Sequence, residues 1–249
     1  MLKREPPPAR PHGELRELFD DVFFVTGTAR MAFALSFSRN MVVVRDGKSL
    51  SIINSMRLDE AGLAALDALG KVEHVLRVAG FHGMDDPFYK ERYGAKVWAI
   101  EGQTYFAGIK PDPSKIYFEA DAAMTRSTDL PIPGASLHTF DGAAIPEGLI
   151  VLEREGGIVV SGDSMQNWAT TDRYFSLAGK ALMKTMGFIA PHNLGPGWLD
   201  GGKPTVADVQ SISSLSFEHV LPVHGSEVIG NAKELYRPTI EKAVAKLSK

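Results

Sequence analysis

The feature of this 249-residue chain that most restricts its fold is a change in the period of its apolar residues. The first quarter reads as short β runs, Asp21 to Thr26, Ala32 to Ser38, Met41 to Arg45 and, after a turn at Asp46-Gly47, Leu50 to Ile53. These predict an antiparallel meander. Leu58, Leu63, Leu66 and Leu69 then fall on one face of a helical stretch that stops at Gly70. An apolar strand Val72 to Ala79, a short helix Asp86 to Tyr93 closed by Gly94, and a strand Lys96 to Ile100 make a βαβ unit, so the sheet is mixed. Residues 101–136 are punctuated by Gly and Pro, with room for a short strand at Ile116 to Glu119. Strands resume at Ser136 to Phe140, Leu149 to Leu152 and Ile158 to Ser161, the last two joined by a Glu155-Gly156-Gly157 hairpin. A helix from about Arg173 to Met186, a Gly/Pro loop, a helix Val206 to Leu215, a strand His219 to Leu221 and a helix Ala232 to Leu247 complete the pattern. Meander, βαβ and hairpin together predict an α/β fold of two mixed sheets with helices outside.

Composition narrows the function classes. With 44% hydrophobic and 23% charged residues the chain is an ordinary globular sequence, and Pro6 to Pro8 with Pro11 set residues 1–13 apart as an extended arm before one domain over 14–249. The absence of cysteine excludes disulfides, thiolate ligands and cysteine nucleophiles, so any metal must sit on His and carboxylates. A net charge of -3 offers phosphates no basic surface, and nucleic acid is not an expected partner. No apolar run is long enough to span a membrane, and MLKREPPPARPHGEL has no apolar core after its basic residues; the expected location is cytoplasmic, with a small-molecule substrate as partner.

Three apolar strands each run directly into a loop carrying metal-ligand residue types. VEHVLRVAG leads to His82-Gly83-Met84-Asp85-Asp86, GGIVVSG leads to Asp163, and HVLPV leads to His224-Gly225. Loops at the carboxyl ends of strands are where the backbone stops pairing and side chains turn into a shared crevice. Each residue also has an ordinary structural explanation: Asp86 before Pro87 as a helix N-cap, Asp163 as a turn former, His224 as a buried histidine. It is their recurrence at three strand ends that points to a site. His192, in a Gly/Pro-rich loop that ends near Trp198, either walls a pocket or lies on the surface, and Arg30 and Arg39, flanking an apolar strand, are expected to be solvated. No serine triad, glycine-rich phosphate loop or EF-hand pattern is present.

From about Glu14 to the last helix the sequence resembles the metallo-β-lactamase superfamily. His82 falls on the first His of the family's HxHxDH motif and Asp86 on its Asp; Asp163 in Ser-Gly-Asp-Ser resembles the bridging Asp, and His224 in Leu-Pro-Val-His-Gly the final His. The resemblance implies a four-layer αββα sandwich and a metal-dependent hydrolase, with His82, Asp86, Asp163 and His224 as metal ligands and Asp85 or His82 as proton shuttle. It is incomplete. Met84 and Pro87 stand where the second and third motif His belong, and the family's later His has no counterpart, the nearest residues being His138, Asp141 and Glu147. Of the family's two adjoining sites, one keeps only His82 with Asp163, and the other keeps Asp86, Asp163 and His224, enough for one divalent ion with open positions. So carboxylate-rich a set suits iron or manganese as well as zinc. The implied reaction is attack by metal-activated water on an ester, lactone, amide or phosphoester. The alternative is a metal-free pseudoenzyme that keeps the fold as a small-molecule binding or scaffold module, and an iron pair completed by Asp141 or Glu147 would instead give a redox protein.

Overall fold

The computed structural model describes residues 5–32, 34–108 and 112–249. The first four residues of the arm and Phe33 of the strand read over 32–38 lie outside the described residues. In chain order the elements are β1 (Arg16–Phe19), β2 (Val22–Ala32), β3 (Leu35–Asp46), β4 (Ser49–Ile53), α1 (Glu60–Leu69), β5 (Lys71–Arg77), α2 (Asp86–Tyr93) and β6 (Lys96–Ile100). The middle contributes β7 (Tyr105–Phe106), β8 (Ile116–Phe118) and β9 (Ala122–Met124). There follow β10 (Ala135–Thr139), β11 (Gly148–Leu152), β12 (Ile158–Ser161), β13 (Met165–Gln166), α3 (Leu177–Thr185), β14 (Asn193–Leu194), α4 (Val206–Ser214), β15 (His219–Pro222) and α5 (Ala232–Leu247).

Two sheets form the centre. The larger runs β1-β2-β3-β4-β5-β6-β9 and the smaller β10-β11-β12-β15, antiparallel over the meander and hairpin, parallel from β4 to β9 and between β12 and β15. The period-two alternation of strand side chains builds the layers. Val22, Phe24, Val42 and Val44 face Ile150, Leu152, Ile158 and Val160 between the sheets. Their alternates Phe23, Val25, Met41 and Val43 pack outward with Leu63, Leu66 and Tyr89 of α1 and α2. On the other side Leu149, Val159 and Val220 pack with Val209, Ile212, Tyr236 and Ile240 of α4 and α5. The result is the four-layer αββα sandwich.

The strands read separately at Ala32 to Ser38 and Met41 to Arg45 are one element, β3, paired along most of its length with β2. The intervening Arg39-Asn40 reads as a break because it is polar, yet both residues are buried, so the side chains there find partners inside the protein rather than ending the strand. The arm lies along β2: Gly13 N–H donates to Thr26 O at 2.8 Å and Thr28 N–H to Pro11 O at 3.0 Å. Among the described residues no helix is long and apolar enough to cross a membrane.

At one edge of the sandwich polar side chains tie the two sheets together. Asn54, at φ 55, donates to Ser161 O at 3.1 Å and accepts from Val78 N and Ala79 N at 3.3 and 3.2 Å. Asn40 donates to Pro222 O and Gly225 O at 2.7 and 2.6 Å. Backbone groups that leave a ladder inside a protein must still be paired, and these two amides pair them across the gap between sheets. The carboxyl ends of β5, β12 and β15 are thereby drawn to a common edge.

Candidate metal centre

The loops after those three strands bring His82, Asp163 and His224 together. One ligand atom from each lies within 4.8 Å of the others. The His82 and His224 Nε2 atoms are 3.2 Å apart; Asp163 Oδ2 is 3.4 Å from His82 Nε2, and Asp163 Oδ1 is 3.3 Å from His224 Nε2. Three ligands arranged tetrahedrally at about 2.0–2.2 Å from one ion stand roughly 3.3–3.6 Å from each other. Asp163 Oδ2 is buried and, among the described residues, accepts no hydrogen bond, a costly condition for a carboxylate oxygen unless a cation occupies the space before it. Both the spacing and the orphaned oxygen fit a single divalent ion.

His224 is held from behind. Its Nδ1 lies 2.9 Å from Ser38 O, an arrangement that places the proton on Nδ1 and leaves the Nε2 lone pair facing the cluster. Trp168 lies over the ring at a centroid distance of 4.6 Å and donates its indole N–H to Ser38 Oγ at 2.8 Å. Gly225 follows at φ +93, and a Cβ there would come within 2.1 Å of Asn167 backbone, so no other residue permits this approach. Burial pushes the His82 imidazole below its ordinary value, against the pull of Asp163, and so favours the neutral form that a metal requires. Burial alone would raise the Asp163 carboxyl, but the two imidazoles outweigh it and hold it well below the usual carboxylate range.

The other residues singled out from the sequence lie elsewhere. Asp86 is fully buried, accepts hydrogen bonds from Ser55 Oγ at 2.5 Å and Tyr105 O–H at 2.6 Å, and is not one of the three residues whose ligand atoms gather within 4.8 Å. Burial raises its pKa against those two bonds and the charge of Arg77. Asp85 is buried and ion-paired with Arg39. Neither carboxylate caps α2: the cap position is Asp85, which makes no cap bond. Arg39, expected in solvent, is buried, because β3 continues through it and α2 packs over that face. His138 pairs with Ser211 Oγ at 2.7 Å, and Asp141 with Arg126 at 3.0 Å. His192, at φ 47, packs its ring 5.6 Å from Tyr236.

Glu147 occupies a third kind of position. Its Oε2 accepts from Gly80 N at 3.1 Å and its Oε1 from Ser164 N at 2.5 Å, so it spans the loops that carry His82 and Asp163. Burial, and then the nearby charge of Asp163, push this carboxyl up to about 8 despite the two N–H bonds. Sequence reading missed Ser38, Trp168, Ser55 and Tyr105 altogether, since each meets its partner only across the fold.

Solved structures with the same architecture span nearly the whole chain. The metallo-β-lactamase FIM-1 from Pseudomonas aeruginosa, in its mono-zinc form, is 15% identical, with 96% of this chain and 99% of that one covered at a TM-score of 0.63. VMB-1 at pH 5.5 is 16% identical over 96% and 99% of the two chains at a TM-score of 0.66. The chain has the metallo-β-lactamase fold. A metallo-β-lactamase from Hirschia baltica aligns likewise, 15% identical over 94% of this chain and 98% of the other, at a TM-score of 0.61. Neither a family-level sequence pattern nor a curated relative matches. The strand-end loops of this metallo-β-lactamase sandwich are where the candidate centre lies.

Proposed function

We propose that the protein is a metal-dependent hydrolase in which one divalent ion, zinc or else iron or manganese, is held by His82, Asp163 and His224 and acts on a small molecule with an ester, lactone, amide or phosphoester bond. The observation that carries this reading is the convergence, at 3.2–3.4 Å spacing, of two imidazole nitrogens and a buried carboxylate, one oxygen of which has no hydrogen-bond donor among the described residues. When bound, such an ion supplies Lewis-acid activation of water and of the scissile group. The chain supplies the rest. His224 presents a fixed tautomer through Ser38 O, Asp163 supplies the negative charge, and burial keeps His82 neutral. Asp85 and Asp86, held by Arg39, Ser55 and Tyr105, support the loop rather than ligate. A cavity of about 280 Å³ lined by Gly80, Gln103, Thr104, Phe106, Ile145 and Pro146 adjoins the same loop, near the small end of ligand-binding cavities.

Elemental analysis of protein purified without chelator, followed by thermal unfolding with EDTA and with added zinc or manganese, tests the proposal. One equivalent of metal and a metal-dependent gain in Tm that Asp163→Ala lacks are expected, together with hydrolysis of at least one ester, lactone, amide or phosphoester in a substrate panel. Absence of metal and of any metal-dependent gain would leave the metal-free binding module as the better reading.

A further inference from the structure

We infer that Glu147 is a positioning residue that sets the distance between the two loops carrying His82 and Asp163, and thereby the metal affinity of the centre, without itself being a ligand. This rests on the metal reading above. The sequence offers Glu147 as a substitute for a missing ligand, but both its oxygens are taken up by backbone N–H groups, those of Gly80 and Ser164. Gly80 lies two residues before His82 and Ser164 one residue after Asp163. The carboxylate therefore acts as a staple between the end of β5 in one sheet and the end of β12 in the other. It stands outside the three-residue group.

The packing around the staple leaves little slack. Glu147 is 1% exposed. A Cβ on Gly162 would come within 2.9 Å of the Glu147 carboxyl carbon and 2.7 Å of Ala79 Cα, so the two loop backbones approach each other directly over it. Gly148, the next residue, donates its own N–H to Val78 O at 3.3 Å, which ties the start of β11 to the β5 end as well. A carboxyl group so placed holds two backbones at once, because each of its two oxygens accepts from a different N–H. Removing it frees two buried N–H donors, and the loops must rearrange to satisfy them.

Metal ligands depend on such outer partners, whose loss typically weakens affinity about 10- to 100-fold. The deciding experiment measures zinc stoichiometry and Kd by titration calorimetry for the parent, Glu147→Gln and Glu147→Ala, each verified as folded by far-UV circular dichroism. One zinc per chain is expected throughout, with Kd raised about 10- to 100-fold in Glu147→Ala and by less in Glu147→Gln, which keeps one acceptor. Variants that lose Tm but bind zinc with the parent's Kd would overturn the proposal by reducing Glu147 to a structural residue. A drop in stoichiometry would overturn it by making Glu147 a ligand. If Glu147→Ala does not fold, the Kd of Glu147→Gln decides alone: weaker binding supports positioning and parental binding refutes it. A parent that binds no zinc, manganese or iron would instead remove the metal reading and this inference with it, an outcome distinct from the other two.

Discussion

Two sets of polar side chains at the same edge of the sandwich, the group His82, Asp163 and His224 and the pair Asp85 and Asp86, are used differently. His82 from the loop after β5 meets Asp163 and His224 in a shared space, where Asp163 Oδ2 has no hydrogen-bond donor among the described residues. Asp85 and Asp86 turn inward and are consumed by Arg39, Ser55 and Tyr105. Burial is similar on both sides, so burial does not separate a candidate ligand from a structural carboxylate. What separates them is whether the chain itself supplies the donor or cation that a buried carboxylate needs.

The largest expected effect comes from breaking the inward pair. Arg39→Ala leaves Asp85 buried without its cation, and loss of about 3–5 kcal/mol is expected by denaturant unfolding. A loss below 1 kcal/mol would mean that Asp85 reaches solvent or another partner. Next comes the contrast between the two aspartates: Asp163→Asn should remove the metal-dependent gain in Tm, whereas Asp86→Asn should lower the Tm of the metal-free protein and preserve that gain. Equal loss of the gain in both would place Asp86 in the metal shell after all.

A pH experiment sharpens the comparison further. Burial, with the charge of Asp163, pushes the Glu147 carboxyl from its ordinary 4.5 up to about 8 in the folded protein. A folded pKa above the unfolded one means that the folded state holds the extra proton between those values, so its contribution is fully present below about 4.5 and fades as pH rises through about 8. In EDTA the parent should therefore lose Tm between pH 5 and 9 more steeply than Glu147→Gln. Parallel curves would show that the carboxyl is already ionised at neutral pH. The smallest effect is expected at Trp168→Phe, which keeps an aromatic ring near His224 and loses the hydrogen bond to Ser38 Oγ, about 0.5–1.5 kcal/mol of stability with metal affinity nearly unchanged. A large fall in metal affinity there would show that the indole itself orients the imidazole.

Much of the fold was legible in the sequence because the signals are local. The period-two runs, the helical stretch ended by Gly70, the βαβ unit and the Glu155-Gly156-Gly157 hairpin each declare themselves within about a dozen residues, and the layers follow from which face of each strand is apolar. The strand ends that carry His82, Asp163 and His224 were legible for the same reason. Sequence could not show that Arg39 reaches Asp85 across 46 positions, that Ser55 and Tyr105 converge on Asp86, or that Glu147 bridges Gly80 and Ser164. Those partnerships join residues on different strands and sheets, so no local spacing encodes them. Residue type and position determined by themselves which side chains arrive at the edge of the sandwich; the tertiary structure alone decided which of them, like Asp85 and Asp86, find a donor or cation within the chain and which, like Asp163, keep a carboxylate oxygen with no hydrogen-bond donor among the described residues, because a buried charge is defined by its neighbours in space.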